Sequence, residues 1–271
     1  MMKKKLTALA LSAAACLSLL SGCGNGGSEA VTIRVGASPA PHAEILEVAK
    51  EVLAEQGINL EIVEFTDYIM PNNAVENGEI DANYFQHITY MDNFNKEHST
   101  HLTSVASIHY EPFGIYAGRV STLADLPDGA TIGIPNDATN GGRALLLLAE
   151  QGLITLPEEA GLEPTVMDIV DNPHNFNIEE LEAAQLPRSL SSLDVAVING
   201  NYAIDAGLSV DDALALESSG GAAATAYANI LAVKEGNEDS QAVQALVEAL
   251  QSEQVKQFMA EQYGAAVVPL F

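Results

Sequence analysis

The sequence predicts an α/β fold with mostly parallel sheets. From Val31 onward, short stretches rich in β-branched residues alternate with amphipathic helical stretches, and this alternation is typical of parallel strands covered by helices. The 271 residues less a predicted N-terminal signal of 22 leave about 249, enough for one large or two medium domains. The absence of an internal repeat or a long linker gives no sequential boundary between domains.

The first half of the chain begins with a strand, "VTIRVGAS". The next stretch, "PHAEILEVAKEVLAEQG", predicts a helix that ends at Gly57, because its apolar residues fall on one helical face. Those residues are Ile45, Leu46, Ala49, Val52 and Leu53. "INLEIVEF" and the shorter "EIDANYFQ" predict two more strands, and "HITYMDNFNKEH" predicts a helix.

The second half opens with the strand-rich stretch "LTSVASIHYEPFGIYAGR". "ATIGIPN" predicts a strand that leads into the helix "NDATNGGRALLLLAEQG". "PTVMDIV" and "LDVAVIN" predict strands on either side of a helix, "NIEELEAAQ", and "YANILAVKE" predicts a further strand. Two helices near Ser240–Leu250 and Ser252–Gln262 complete the chain. The strand-rich passages Phe113–Gly118 and Tyr227–Val233 are candidates for crossings between two lobes.

The N-terminal segment predicts a lipoprotein signal. A basic start with Lys3, Lys4 and Lys5 precedes an uncharged apolar run that is too short to span a bilayer. The following "LSGC" resembles the lipobox of bacterial lipoproteins, which implies cleavage before Cys23 and attachment of lipid to that residue. Residues 23–30 are Gly- and Ser-rich and predict a flexible tether. The alternative is a plain secretory signal in which Cys23 occurs by chance.

The composition is strongly acidic, with a formal net charge of −26. The signal contains three lysines and no acidic residue, so its removal brings the charge to about −29. Nucleic acids and anionic lipid surfaces are poor partners for such a chain. An anionic ligand therefore requires a local cationic site.

Arg143 is the candidate for that cationic site. It is one of four arginines and lies behind Gly141 and Gly142 at the start of a predicted leucine-rich helix. The preceding loop, "NDATN", contains residues that favour helix N-caps. A helix N-terminus offers unpaired N–H groups to an anion, and an arginine there adds a two-pronged contact with a carboxylate. The residue types alone leave open an N-capped helix with a solvated arginine.

Five stretches in this order resemble one family along essentially the whole mature chain. They are "SPAPHAEIL", "DANYFQHITYMD", "IPNDATNGGRALLLL", "AVINGNYA" and "YANILAVKE". They resemble the NlpA/MetQ family of methionine-binding lipoproteins of bacterial ABC importers. The resemblance implies a two-lobed periplasmic-binding-protein fold, type II-like, with a ligand cleft between lobes joined by two crossing strands. Lobe I is expected to comprise residues 31–113 and 227–271, and lobe II residues 114–226.

The resemblance also implies a set of ligand contacts. Arg143 matches the family arginine that holds the ligand carboxylate, and Asn199 and Asn229 match the asparagines that fix the polar end of the amino acid. The aromatic pocket around the thioether matches Tyr68, Phe85, His87 and Tyr90. Taken singly, each aromatic residue is better explained by core packing, and His87 alone by a satisfied core histidine; the set as a whole favours the pocket. The chain departs from the family pattern at Ala138, where proline is common, and Asn201 lies in a variable stretch.

The function implied is that of a non-catalytic binding lipoprotein without a cofactor. It delivers L-methionine or a close analogue to an ABC permease and ATPase complex, and it is anchored to the cell membrane on the outside, at the cell surface or in the periplasm. Changing Arg143 to Ala is expected to weaken ligand binding and leave folding nearly untouched.

Alternative functions remain open from the sequence. The same fold can bind another amino acid or a short peptide, or it can serve as a surface interaction protein that has lost its ligand. A secreted hydrolase is a third alternative, but the sequence contains no GxSxG, HExxH or Walker motif. His98, His101 and His109 have a spacing that allows a metal site, yet neighbouring acidic residues suit a solvated surface, so no metal is expected.

Overall fold

A computed structural model describes residues 31–218 and 225–271. The predicted signal, Cys23 and the tether lie outside the described residues. Within them the strands are β1 (Val31–Ala37), β2 (Ile58–Glu64), β3 (Ala82–His87), β4 (Leu102–Tyr110), β5 (Gly114–Ala117), β6 (Thr131–Pro135), β7 (Asn177–Leu181), β8 (Val195–Ile198), β9 (Ala213–Leu216), β10 (Ala228–Lys234) and β11 (Val268–Pro269).

The α-helices of the described residues are α1 (Glu44–Glu55), α2 (Met70–Glu76), α3 (Ile88–His98), α4 (Ala138–Glu150), α5 (Leu186–Ser189), α6 (Gly200–Asp205), α7 (Gln241–Leu250) and α8 (Glu253–Gln262). Ser240 and Ser252 accept backbone N–H bonds at the starts of α7 and α8, as expected for serine N-caps. None of these helices combines the length and apolar character that a bilayer crossing requires.

Two sheets organise the described chain. The first has the order β11-β4-β10-β3-β1-β2, and the second has the order β7-β6-β8-β5-β9. The prediction of mostly parallel sheets is wrong. β1 runs parallel to β2 and β3, and β6 runs parallel to β7 and β8, but β10, β11, β5 and β9 pair in antiparallel fashion. The chain leaves the first sheet after β4 and returns to it in β10, which lies between β3 and β4 and runs antiparallel to both.

The predicted apolar face of α1 is buried. Ile45, Leu46, Ala49 and Leu53 pack with strand residues of the first sheet and with apolar residues of α7 and α8. The leucines of α4 pack with β6 and β8 in a separate cluster. Each sheet therefore has its own apolar core, as expected when helices cover a sheet.

Two predicted elements are wrong. "PTVMDIV" forms a 3-10 turn at Val166–Asp168 instead of a strand, because Thr165 and Asp168 close a capping box there. "NIEELEAAQ" forms the edge strand β7 and a 3-10 turn at Ala183–Gln185 instead of a helix. Pairing with β6 along the sheet edge outweighs the helix propensity of the Glu, Leu and Ala residues in this stretch.

Candidate functional site

The site is built where three strands end and helices begin. β3 leads into α3, β6 into α4 and β8 into α6, and ligand sites of α/β sheets occur at such strand ends. Asp137 caps α4 through a hydrogen bond that its side chain accepts from the Asn140 N–H. The polar residues predicted from these strand ends therefore lie on neighbouring elements.

Gly141 and Gly142 permit a close approach of protein backbone. A Cβ on Gly142 would lie 2.7 Å from the Cα of Glu163, and one on Gly141 would lie 2.9 Å from the carbonyl oxygen of Pro135. Both distances are shorter than side chains normally tolerate. The two glycines are therefore explained by contacts within the protein.

Arg143 is buried, with 4% of its surface exposed. Its Nε donates to both carboxylate oxygens of Glu217 at 3.1 Å, and its Nη2 donates to Glu217 Oε2 at 2.6 Å and to the Glu111 carbonyl oxygen at 2.9 Å. The guanidinium carbon lies 4.2 Å from the centroid of the Tyr227 ring. Among the described residues, Nη1 has no hydrogen-bond partner. The interpretation of Arg143 as a solvated helix residue is therefore wrong.

Four aromatic rings pack together, and three of them, Tyr68, Phe85 and Tyr90, border the same cavity as Arg143. The Tyr68 ring centroid lies 5.8 Å from that of Phe85, 5.6 Å from Tyr90 and 4.9 Å from Tyr202. The Tyr68 hydroxyl donates to Asn201 Oδ1 at 2.6 Å, and the Tyr90 hydroxyl donates to the Tyr68 carbonyl oxygen. Because protein acceptors bind both hydroxyls, the rings present apolar surface.

A chain of hydrogen bonds fixes the orientation of Asn199. The Asp137 carboxylate accepts from Asn140 Nδ2, so Asn140 Oδ1 points away and accepts from Asn199 Nδ2 at 2.8 Å. His87 Nε2 lies 3.1 Å from the same oxygen, and burial lowers the pKa of His87 to about 3, so its ring is neutral. This order of donors leaves the Oδ1 of Asn199 as an acceptor without a partner among the described residues.

All seven predicted site residues border one cavity. They are Tyr68, Phe85, His87, Tyr90, Arg143, Asn199 and Asn229. Glu111, Asn140 and Asn201 also border it. The Nδ2 of Asn201 is buried and, like Asn199 Oδ1, has no partner among the described residues. A buried donor and a buried acceptor on neighbouring residues indicate a polar ligand, since unpaired buried polar atoms are costly.

Asn229 has a different hydrogen-bond role from Asn199. Its Oδ1 lies 3.0 Å from His42 Nε2, and Ser38 Oγ lies 2.7 Å from His42 Nδ1. The His42 Nε2 faces a second acceptor, Glu111 Oε1, at 3.5 Å, so this nitrogen carries the proton. The oxygen of Asn229 is thereby bound within the protein, and its amide nitrogen is the group left for a ligand.

Ser38, His42 and Glu111 form a Ser-His-carboxylate sequence of contacts. Hydrolases of this type need the serine at the substrate site, yet neither Ser38 nor His42 borders the cavity with Glu111. The geometry therefore does not favour the hydrolase alternative.

The three histidines considered as metal ligands lie apart. His98 stacks on Phe94 with ring centroids 4.2 Å apart, and His101 Nδ1 lies 3.3 Å from Glu76. His109 instead lies beside His42 and Glu111, and these three buried side chains place their nitrogen or oxygen atoms within 4.8 Å of one another. Each histidine in that group already has a hydrogen-bond partner on both ring nitrogens.

A profile described as NlpA lipoprotein matches residues 33–271. The chain belongs to the NlpA lipoprotein family. It is 46% identical over 240 residues to membrane lipoprotein TpN32 of Treponema pallidum (strain Nichols), covering 88% of each chain. It is 40% identical over 240 residues to the D-methionine-binding lipoprotein MetQ of Escherichia coli (strain K12), covering 87% of each.

Solved structures of the NlpA lipoprotein family share the fold. A nutrient binding protein from Burkholderia cenocepacia bound to methionine superposes with a TM-score of 0.84 at 43% identity, covering 88% of this chain and 100% of the other. The prediction of a two-lobed binding-protein fold is confirmed. So is the assignment to the family from its five sequence stretches.

Sequence reasoning missed two carboxylates of the site. Glu111 directly follows β4, in "HYEPF", and Glu217 follows β9. Glu217 is separated from Arg143 by 74 residues along the chain, so no local pattern indicates the pairing. The position of Glu111 after a predicted strand was a usable signal, since polar groups at strand ends were the criterion for the other residues.

Proposed function

We propose that this chain is a non-catalytic solute-binding lipoprotein that holds L-methionine, or a close analogue, between two lobes and delivers it to an ABC permease. The observation that carries the proposal is a pair of buried atoms, Asn199 Oδ1 and Asn201 Nδ2, that have no partner in the described part of the chain and share one cavity with Arg143 and an aromatic group. The methionine-bound relative from Burkholderia cenocepacia supports the choice of ligand.

The polar half of the cavity suits a free amino acid. The Arg143 Nη1 and the Asn201 Nδ2 are donors for a carboxylate, and Asn229 Nδ2 is a third. Asn199 Oδ1 is an acceptor for an ammonium. Glu217 already binds Nε and Nη2 of Arg143. A ligand carboxylate therefore accepts a hydrogen bond from Nη1 of the guanidinium and further hydrogen bonds from the amide nitrogens.

The apolar half suits a thioether. Phe85, Tyr68 and Tyr90 are buried or half-buried and offer ring surface beside the polar groups. Sulfur packs favourably against aromatic rings, at about 0.3–1.5 kcal/mol per contact. We propose that these rings, with His87, enclose the methionine side chain.

The two lobes are proposed to be residues 31–113 with 227–271, and residues 114–226. Contacts between the proposed lobes surround the cavity: Tyr68 bonds Asn201, His87 bonds Asn140, and the Tyr202 hydroxyl bonds the Thr66 carbonyl oxygen. Opening of the cleft breaks these bonds, and a ligand that contacts both lobes favours their formation. Ligand is therefore expected to compact the protein, which small-angle scattering of ligand-stripped and loaded samples measures.

The proposal places the chain at the membrane through Cys23, on the outer side, next to its permease and ATPase. Cys23→Ser is expected to yield a protein that is unprocessed or released from the membrane fraction. A Cys23→Ser protein that fractionates and migrates like wild type contradicts the anchor.

Titration calorimetry of ligand-stripped protein tests the ligand. L-Methionine is expected to bind best, and norleucine to lose only about 1 kcal/mol, the order of one sulfur–aromatic contact. Glutamine and glutamate are expected to bind far more weakly, because their polar ends would be buried without partners. D-Methionine and methionyl dipeptides complete the set. A glutamine or dipeptide complex tighter than that of methionine refutes the proposed specificity and leaves the fold intact.

A further inference from the structure

Glu111 is a buried carboxylate at the edge of the cavity, with 6% of its surface exposed. Its Oε1 lies 2.8 Å from His109 Nε2. Its Oε2 lies against the segment that follows β8, because a Cβ on Gly200 would be 2.7 Å from this oxygen. One carboxylate oxygen is therefore directed to lobe I histidines, and the other lies beside Asn199 and Asn201.

In the described chain the Glu111 carboxylate has no Lys or Arg as an ion-pair partner, and burial raises its pKa. Within residues 31–218 and 225–271, its ion-pair contacts are with His42 and His109 and with no Lys or Arg. Burial lowers the pKa of His42 to about 4 and that of His109 to about 3, so both rings are neutral near pH 7. Arg143 is close, but its Nη2 donates to the backbone oxygen of Glu111, and its charge is paired with Glu217.

Two acceptors thus lie on adjacent parts of the cavity wall. Glu111 Oε2 contacts Gly200, and the preceding residue, Asn199, presents an Oδ1 without a partner among the described residues. The third nearby oxygen, Asn229 Oδ1, is bound by His42. Converging acceptors require a group with several donors, and a buried carboxylate is stabilised by a cation.

We propose that Glu111 and Asn199 Oδ1 together bind the α-ammonium of the ligand, so that Glu111 restricts the site to ligands with a free α-amino group. The inference rests on the proposed function and deepens it. Arg143 and the amide nitrogens hold the carboxylate, and Glu111 supplies the opposite charge for a zwitterion. The histidines hold Oε1, the Asn201 backbone N–H also donates to the carboxylate, and Oε2 lies beside Gly200 on the cavity wall.

A cycle of two proteins and two ligands tests the role of Glu111. Wild type and Glu111→Gln are titrated with L-methionine and with 4-(methylthio)butanoate, which lacks the ammonium. Glu111→Gln is expected to weaken methionine binding by about 30-fold or more, the lower end for removing one partner of a buried charge pair. The binding of 4-(methylthio)butanoate is expected to stay the same or to strengthen, because the analogue has no ammonium for Glu111 to bind.

An equal loss for both ligands overturns the inference, because it shows that Glu111 acts only on the structure of the site. Failure of wild type to bind methionine contradicts the proposed function instead, so the two failures are distinguishable. Glu61→Gln is the matched control, because it removes the same charge away from the cavity. The Glu61 side chain is 54% exposed and pairs with Arg34.

A crystal structure of the wild-type protein with L-methionine provides the second measurement, which holds even when Glu111→Gln fails to fold. The ammonium nitrogen is expected within hydrogen-bond distance of both the Glu111 carboxylate and Asn199 Oδ1. An ammonium bonded to other groups, with the Glu111 carboxylate out of reach, overturns the inference.

Discussion

Arg143→Ala is expected to destabilise the protein as well as its ligand complex. The substitution removes the hydrogen bonds to the Glu217 carboxylate, the bond to the Glu111 carbonyl oxygen and the contact with the Tyr227 ring. The Glu217 side chain, 11% exposed, then keeps Tyr110 as its one side-chain partner within residues 31–218 and 225–271, through a 2.5 Å hydrogen bond. A carboxylate is left in a largely buried position without its cation.

Removing one partner of a buried ion pair costs about 3–5 kcal/mol, because the remaining charge is desolvated without compensation. For a protein of this size each kcal/mol shifts the melting temperature by about 2–4 °C, so Arg143→Ala is expected to lower it by about 6–20 °C. This prediction replaces the expectation from the sequence that Arg143→Ala leaves folding nearly untouched. That expectation assumed an arginine that serves the ligand alone.

Urea unfolding of ligand-stripped wild type, Arg143→Ala, Glu217→Gln and the double variant measures the effect. Ligand has to be removed because it stabilises the native state. The double variant is expected to recover part of the stability lost in Arg143→Ala, since the buried charge is gone, and the cycle yields a coupling free energy. A loss below about 1 kcal/mol in Arg143→Ala, or additive losses, refutes the buried ion pair.

Three further predictions concern stability. Burial lowers the pKa of His109 to about 3 in the folded state, so this residue stabilises the native protein above pH 6.5 and the contribution is lost as pH falls through 3. The melting temperature of His109→Gln is therefore expected to fall less steeply than that of wild type below pH 6.5, and equal slopes contradict this. Gly142→Ala places a methyl group 2.7 Å from the Cα of Glu163. It is expected to lower the free energy of unfolding, measured in urea, by about 1–3 kcal/mol, and an unchanged free energy contradicts the close packing. A hydrogen bond from the His101 N–H, and then Lys234, lower the pKa of Glu76 to about 2. Glu76→Gln is therefore expected to have a lower melting temperature than wild type above pH 4.5, and the difference is expected to vanish as pH falls through 2. A difference that persists at pH 2 excludes this carboxylate as its source.

Helices with a clear apolar period could be predicted from the sequence, because local spacing and the buried face coincide. The helix predicted after the first strand is α1, and four of its five predicted face residues are fully buried. Short elements such as α2 and α6 were not predicted, since six or seven residues contain too little periodicity to show a pattern. Their positions depend on the strands they follow.

The two wrong elements have a common physical cause. In "NIEELEAAQ" the strong helix formers occupy an edge strand, where both glutamates of β7 are exposed and β6 is the one neighbour among the described strands. In "PTVMDIV" the apolar residues suggested a strand, yet Met167 is 87% exposed and Val170 is 67% exposed. Local composition does not reveal which surface a segment will meet in the fold.

The predicted site residues came from strand ends and from the family resemblance, and the structure places all of them on one cavity. Their hydrogen-bond roles could not be predicted in the same way. The oxygen of Asn199 has no partner in the described chain because Asp137 orients Asn140, and the oxygen of Asn229 is bound because His42 reaches it from another element. Which atom of an amide faces a ligand depends on such second contacts, which join distant parts of the chain.

The charges of the site explain how a strongly acidic protein can hold an amino acid. Glu217 balances the positive charge of Arg143 at the cavity, and Glu111 adds a carboxylate at its edge. The three groups together carry a formal charge of about −1 when ionised. A zwitterion brings no net charge to this site and can satisfy both signs at once, whereas an anion meets a carboxylate without offering it a donor. The pairing of Arg143 with Glu217 is therefore expected to favour a neutral amino acid over a simple anion, because it leaves the arginine without an unbalanced charge.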